Sequence, residues 1–232
     1  MTVTEGPQAF PELTDEQYQY VVAFHESAHI VAAWALGLQH GGVWVTPDRT
    51  AVESGKAGFG NLENPPQATA TALCAGPAGE ALALGVLRYD PATYPEVFQR
   101  AYGKHAETDD AQLDQLRATH GADAFDEARA STDAAQLVND QQLAAAISDL
   151  AETLLQQPHT LLQTEHSAEP IPVQYLSPEQ VQQVLAPHWA QPAVDQQAVP
   201  TQAPVQLTHG SAAPRLQNRD VDYTRERGGT AR

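Results

Sequence analysis

Residues 14–36 of the chain read TDEQYQYVVAFHESAHIVAAWAL, and this stretch decides the fold. Thr14 and Gln17 have the spacing of a capping box, in which each side chain bonds to the backbone of the other residue. No glycine or proline follows until Gly37. The pattern therefore predicts a helix over residues 15–36.

An HExxH motif, His25-Glu26-Ser27-Ala28-His29, lies in the middle of this helix. Two histidines four residues apart share one helix face, so both can bind one zinc ion while Glu26 reaches a water molecule at the metal. The same face carries apolar residues at Val21, Val22, Ala28, Ala32 and Leu36. We therefore expect His25 and His29 to point toward the core. The alternative is a pair of core histidines satisfied by backbone carbonyls.

Composition narrows the class of protein. Ala, Gln and Leu dominate the 232 residues, which favours a mainly helical fold with a core built from the 42% of hydrophobic residues. With 12 basic and 29 acidic residues the formal charge is −17, which argues against a nucleic-acid partner. The single cysteine, Cys74, allows no intramolecular disulfide and lies among alanines, so we expect a buried, inert thiol.

Localisation follows from two expected absences. Residues 1–12 lack the basic and apolar regions of a signal peptide. No uninterrupted apolar stretch has the length of a membrane span. We expect a cytoplasmic protein without a membrane partner.

The remaining elements predict a mainly α fold with a small β-hairpin or sheet edge. Residues 41–47 and 57–62 read as two strands. An Ala-rich helical segment spans Pro66 to Gly85, with an expected kink at Gly76-Pro77. Three later helices are predicted over 109–119, from 122 to about 157, and from the Ser177–Gln180 capping box to Leu185.

Three segments are expected along the chain. Residues 1–13 form an N-terminal arm, and 14–190 form one folded domain. Residues 191–232 are rich in Pro, Gln and Ala without apolar periodicity, and read as a disordered tail.

A zinc site with two histidines needs a third protein ligand. No third histidine follows closely enough for an HExxHxxGxxH motif, so the candidates are acids: Glu53, Glu80, Asp109 and Asp110. Because the two aspartates open a predicted helix, their ordinary role would be to cap it. The residues alone leave the third ligand open.

The order of motifs resembles the peptidase domain of the ATP-dependent, membrane-anchored zinc proteases of the FtsH type (peptidase family M41). The resemblance covers roughly residues 14–186. It rests on four stretches that occur in the family's order: Phe24-His25-Glu26-Ser27-Ala28-His29, Gly58-Phe59-Gly60, Leu73-Cys74-Ala75-Gly76-Pro77-Ala78-Gly79-Glu80, and Glu107-Thr108-Asp109-Asp110.

The resemblance implies a zinc metalloendopeptidase. His25 and His29 would bind Zn²⁺, and Glu26 would be the catalytic base. Asp109 would be the third ligand in preference to Asp110, because apolar Leu113 and Leu116 then follow where the family's helix meets the core.

The chain also departs from the family. Pro77 stands where the family has Arg, and Ser-Asn does not precede Asp109. The sequence contains no ATPase module or membrane anchor, so we expect hydrolysis of flexible or unfolded polypeptides without a built-in unfolding motor. A homo-oligomer or a separate ATPase partner stays open.

Two rival hypotheses remain. One is a soluble HExxH protease of the ImmA/IrrE type, for which Glu80 would be the third ligand. The other is a zinc-binding interaction module without turnover. His105, His120 and His159 are expected at the surface, although His105 precedes Asp109 by four residues and could orient it.

Overall fold

A computed structural model describes residues 13–48, 51, 54–59, 64–164, 167 and 169–189, without the side chains of 96 and 99–108. The chain divides into two units, Met1–Pro192 and Ala193–Arg232, and every described residue lies in the first. The predicted tail, and the arm apart from Leu13, lie outside the described residues and stay predictions. Within the described part, the protein is mainly helical, as its composition indicates.

Helix α1 (Asp15–Ala35) is the central element of the fold. The capping box of Thr14 and Gln17 is present in full, which confirms the predicted helix start. Every residue from Val21 to Ala33 is buried, so the helix is covered on all sides and not only along one apolar side. Leu36, predicted as part of that side, is instead an exposed residue at the helix end.

The small β element is larger than predicted. β1 (His40–Val45) and β2 (Gly55–Phe59) pair antiparallel, which confirms the hairpin. Two further strands, β3 (Thr160–Leu162) and β4 (Ile171–Leu176), complete a sheet in the order β2-β1-β4-β3. Sequence patterns missed them because β3 is short and β4 contains Pro172. That proline is tolerated because β1 pairs with β4 only from Gln174 onward.

The Ala-rich segment breaks earlier than predicted. Helix α2 (Pro66–Leu73) ends at Cys74, and helix α3 (Ala75–Val86) begins directly after it, so the break is not at Gly76-Pro77. Pro77 lies in the first turn of α3, where a missing N–H is harmless. In a continuous helix its ring would clash with the carbonyl of Leu73, which places the break before the proline.

The later helices also have different bounds. Helix α4 (Pro95–His120) starts well before Asp109, so the two aspartates lie inside a helix and do not cap one. The long helix predicted over 122–157 is two helices, α5 (Glu127–Asn139) and α6 (Gln141–Leu155). Asp140 separates them because its side chain accepts hydrogen bonds from the first N–H groups of α6.

The last helix has the predicted form. Helix α7 (Pro178–Leu185) begins at the Ser177 capping box, and a short 3-10 turn (Ala186–Trp189) follows. No helix in the described part of the chain combines the length and apolar character needed to cross a membrane.

Two apolar clusters hold these elements together. The larger surrounds α1 and includes residues of α3, α6 and α7. The smaller contains Leu113 and Leu116 of α4 and packs them against Ala70 and Leu73 of α2. This second cluster confirms that the two leucines after Asp109 face the interior, and it fixes α4 against the side of α2.

Candidate metal centre

The two histidines of the HExxH motif converge inside the protein. His25 and His29 are each 3% exposed, which confirms that they face the core. Their rings meet edge to face with centroids 4.6 Å apart, and the two Nε2 atoms are 3.0 Å apart. Helix α1 alone produces this pairing, because residues four apart lie one above the other on a helix face.

Asp109 brings a carboxylate from α4 to the same point. Its Oδ2 lies 3.4 Å from His25 Nε2, and its Oδ1 lies 3.4 Å from His29 Nε2. In the described part of the chain, His25, His29 and Asp109 form a buried group whose ligand atoms all lie within 4.8 Å of one another and could hold a metal ion. The neighbouring Asp110 is exposed and outside this group.

Hydrogen bonds at the far ring nitrogens fix how the imidazoles are oriented. His29 Nδ1 lies 2.8 Å from the carbonyl oxygen of Ala72, to which it can only donate. His25 Nδ1 donates to Glu80 Oε1 at 2.7 Å. In the neutral tautomers that these bonds select, the Nε2 atoms carry the lone pairs. Of the four ring nitrogens, only His29 Nδ1 bonds to a backbone carbonyl of a described residue. The alternative of two core histidines satisfied by backbone carbonyls therefore does not account for the two Nε2 atoms, which both face the Asp109 carboxylate.

Glu80, the rival candidate for third ligand, supports His25 from behind. It is fully buried on α3 and contacts the ring nitrogen opposite to the one that faces Asp109. Its other oxygen, Oε2, is buried and has no hydrogen-bond partner in the described structure. The geometry therefore gives Glu80 a positioning role and leaves the ligand group to His25, His29 and Asp109.

Glu26 is held beside this group by β2. The backbone of Ala57 in β2 favours the charged form of its carboxylate and lowers its pKa against the effect of burial. Gly55 allows the close approach, because a Cβ there would lie 2.8 Å from Glu26 Cγ and 3.0 Å from Oε1. Glu26 is 7% exposed and is not among the three ligand residues. A buried carboxylate next to the ligands without being one of them is the arrangement that a general base requires.

Three buried carboxylates, those of Asp109, Glu80 and Glu26, surround the two histidines. Burial by itself lowers the pKa of His25, but the carboxylates of Asp109, Glu80 and Glu26 outweigh it and raise that pKa well above its usual value. Asp109 shows the opposite balance: burial opposes ionisation, yet His29 and His25 hold its pKa below the usual range. Burial raises the pKa of Glu26 and of Glu80, and the histidines oppose the shift. Such a group is stable only with protons or a cation among the carboxylates.

The residues present fit a divalent metal ion. Tetrahedral ligands about 2.0–2.1 Å from a zinc ion lie about 3.3 Å from one another, and the three distances here are 3.0, 3.4 and 3.4 Å. Gly76 of α3 leaves space in front of the nitrogens, because a Cβ there would lie 2.5 Å from His29 Nε2 and 2.6 Å from His25 Nε2. Asp109 Oδ2 is buried and has no hydrogen-bond partner among the described atoms.

Some functional contacts were not predicted from the sequence. Gly76 was read as part of a kink and of the stretch that carries the family resemblance, not as a residue that faces the histidines. The Ala72 carbonyl has no sequence signature. Phe59 stacks on the His29 ring at a centroid distance of 5.3 Å and an angle of 25°. The small residues between Cys74 and Glu80 were the available signal, since they indicate a close approach to another element.

The other sequence candidates lie apart from the metal group. His120 and His159 are exposed, as expected. Glu53 and the His105 side chain lie outside the described residues. The half-buried Cys74 thiol has its pKa raised by burial, and Ser131 Oγ lies 3.6 Å from its sulfur.

Comparison of the chain with protein-family models, with curated proteins and with solved structures finds no match. The function proposed below therefore rests on the site itself, and the resemblance to FtsH-type peptidases stays a prediction.

Proposed function

We propose that this protein is a zinc-dependent metalloendopeptidase that hydrolyses peptide bonds in flexible or unfolded polypeptides. One observation carries the proposal: His25, His29 and Asp109 form a buried group that could hold a metal ion, and Gly55 of β2 lies against the side chain of Glu26, whose carboxylate is not part of that group. A purely structural metal site needs ligands but no neighbouring base.

The chemistry divides between the metal and the chain. When bound, zinc supplies a Lewis acid that polarises a carbonyl and acidifies water. Glu26 accepts the proton of the attacking water and passes it to the leaving amine. Burial raises the pKa of Glu26, which brings its proton affinity closer to that needed for both transfers near neutral pH. Glu80 and the Ala72 carbonyl keep the two imidazoles in the orientation that binds metal.

The FtsH-type resemblance belongs to this proposal. The order of elements supports it, because an HExxH helix is followed by a strand that contacts the base and by two helices that carry Glu80 and Asp109. We infer from the same order that Asp109, and not Glu80, is the third ligand. A separate ATPase partner would supply an unfolding motor. A homo-oligomer is the other assembly that the sequence leaves open.

The test compares Glu26→Gln with the wild-type protein. This substitution preserves the shape of the side chain but removes the proton acceptor, so zinc content and folding should be unchanged. Hydrolysis of an unfolded protein such as casein should fall by at least about a hundredfold, the lower end of what a positioned general base contributes. Glu16→Gln, the same change at an exposed position in the first turn of α1, is the matched control and should keep full activity.

Metal analysis of the purified protein belongs to the same experiment. We expect about one zinc per chain in wild type and in both variants. Iron in place of zinc would contradict the proposal, since two histidines and a carboxylate also serve non-haem iron enzymes. Equal activity of wild type and Glu26→Gln, with zinc bound to both, would favour the interaction module.

A further inference from the structure

Strand β2 runs along the HExxH helix in register with it. Ser54, the residue before the strand, lies at Tyr18, because the two hydroxyl oxygens are 2.7 Å apart. Phe59, at the end of the strand, stacks on the ring of His29. The 11 positions from Tyr18 to His29 rise about 16.5 Å along a helix. The 5 positions from Ser54 to Phe59 span about 16.5 Å in a strand, so β2 follows α1 across the whole motif.

The side chain of Glu26 packs against the start of this strand. Gly55 follows Ser54 directly, and a Cβ at Gly55 would lie 2.8 Å from Glu26 Cγ and 2.9 Å from Val22 Cγ1. Helix and strand are therefore in contact at the proposed base. A shift of Ser54 away from α1 would carry Gly55 with it and would open space beside Glu26.

The position of β2 depends on α1 because β2 is the edge strand of the sheet. Within the part of the chain that the structure describes, its one strand partner is β1. The carbonyl of Ser54 accepts a hydrogen bond from the Thr46 N–H at 2.9 Å, which ties the residue to the end of β1. Its hydroxyl bonds to Tyr18, and the two residues are 7% and 8% exposed. A buried hydrogen bond between side chains thus connects the start of the strand to the helix.

We infer that Tyr18 is a positioning residue for Glu26. Its hydrogen bond to Ser54 fixes where β2 begins along α1, and Gly55 then confines the Glu26 side chain beside the metal group. The inference rests on the proposed peptidase function. A misplacement of about 1 Å can lower a rate by about a hundredfold. Loosening the strand should therefore slow the reaction although Tyr18 is not one of the metal ligands.

The test removes the hydrogen bond from each side. Tyr18→Phe and Ser54→Ala each delete one hydroxyl, and the double variant deletes both. In casein hydrolysis we expect kcat to fall about tenfold in each single variant, with KM within about twofold of wild type and zinc content unchanged. The double variant should be no slower than the slower single variant, since the two residues act through one bond. Circular dichroism checks folding, and Ser54→Ala alone decides if Tyr18→Phe does not fold.

Tyr89→Phe is the matched control. The Tyr89 hydroxyl lies after α3 and donates to Gln17 Oε1 at the start of α1, at 3.4 Å. This variant loses a tyrosine hydroxyl beside the same helix but keeps the bond between Tyr18 and Ser54. Its kcat should equal that of wild type.

Ligand binding reports the position of Glu26 without turnover. Acetohydroxamic acid binds zinc through its two oxygens and carries a proton that a carboxylate beside the metal can accept. Its affinity for the zinc-loaded protein should fall by about threefold or more in Tyr18→Phe and in Ser54→Ala, as for a weakened hydrogen bond. Glu26→Gln should lower it in the same direction, and Tyr89→Phe should leave it unchanged.

Several outcomes would overturn the inference: an unchanged kcat in both single variants of an active protein, an unchanged hydroxamate affinity, additive losses in the double variant, or an equal loss in Tyr89→Phe. Loss of zinc together with activity would do the same, since the effect would then lie at the ligands. Each leaves the proposed function standing if wild-type protein hydrolyses casein in a Glu26-dependent manner. If wild type does not hydrolyse casein but the hydroxamate affinities change as expected, the proposed function fails and the positioning of Glu26 by Tyr18 holds.

Discussion

Three glycines of α3 are predicted to tolerate an added methyl group very differently. At Gly76, a Cβ would lie 2.6 Å from His25 Nε2, whereas ordinary contact begins at 3.4 Å, so the ring must retreat by about 0.8 Å. Metal–ligand distances tolerate only about 0.2 Å. We therefore expect Gly76→Ala to weaken zinc binding by at least about a hundredfold, the upper end of what loss of ligand support costs.

Two other glycines on the same helix serve as controls. A Cβ at Gly79 would lie 2.6 Å from both the Ala28 Cβ and the Phe24 carbonyl oxygen, so Gly79→Ala should push α3 away from α1 and lower stability by about 1–3 kcal/mol. A Cβ at Gly85 meets nothing within 4 Å. Gly85→Ala should bind zinc normally and gain up to about 1 kcal/mol from the lower backbone entropy of the unfolded chain.

The assay pairs two measurements on each variant. Competition with a chelator gives the zinc affinity, and thermal unfolding followed by circular dichroism gives the stability of the metal-free protein. Gly76→Ala should separate the two by losing zinc while its metal-free form stays folded. A Cβ at residue 76 occupies the space in front of both Nε2 atoms, where the metal is expected. A folded Gly76→Ala protein that binds zinc as tightly as wild type would therefore refute this position for the metal.

The remaining predictions concern the ligands and their protons. Asp109→Ala should abolish stoichiometric zinc binding, whereas Glu80→Gln should only weaken it by about ten- to a hundredfold because Glu80 supports a ligand; the reverse ranking in zinc titrations would favour Glu80 as the third ligand. Neighbouring carboxylates raise the pKa of His25 despite its burial. In the metal-free protein, protonated His25 therefore stabilises the fold most below about pH 6.5. This contribution to the free energy of unfolding is lost as pH rises through the raised pKa of His25. Zinc must displace that proton, so zinc affinity should rise with pH above about 6.5, and titrations that show no pH dependence there would contradict this.

Features that depend on neighbouring residues along the chain could be predicted from the sequence. The capping boxes at Thr14 and Ser177 start α1 and α7 where they were expected. His25 and His29 share a face because helix geometry alone places residues four apart together. Element ends were less predictable where an aspartate could be read either as part of a helix or as its cap, as at Asp140.

Which acid lies with the two histidines could not be decided from the sequence. Asp109, Asp110 and Glu80 were all candidates, and only packing distinguishes them. Leu113 and Leu116 bury one side of α4 against α2, which turns Asp109 inward and leaves Asp110 exposed. Glu80 lies on α3, whose close packing on α1 at Gly79 brings it to the far nitrogen of His25.

The sequence by itself therefore determined the HExxH helix, its two inward-facing histidines and the position of Glu26 next to His25, because all of these are properties of one continuous segment. The tertiary structure decided which acid completes the group, which glycine leaves room for a metal and which strand holds Glu26. Those choices depend on contacts between residues tens of positions apart, such as the 2.7 Å hydrogen bond of His25 to Glu80. Such contacts are set by how helices pack in space, which no local pattern of side chains encodes.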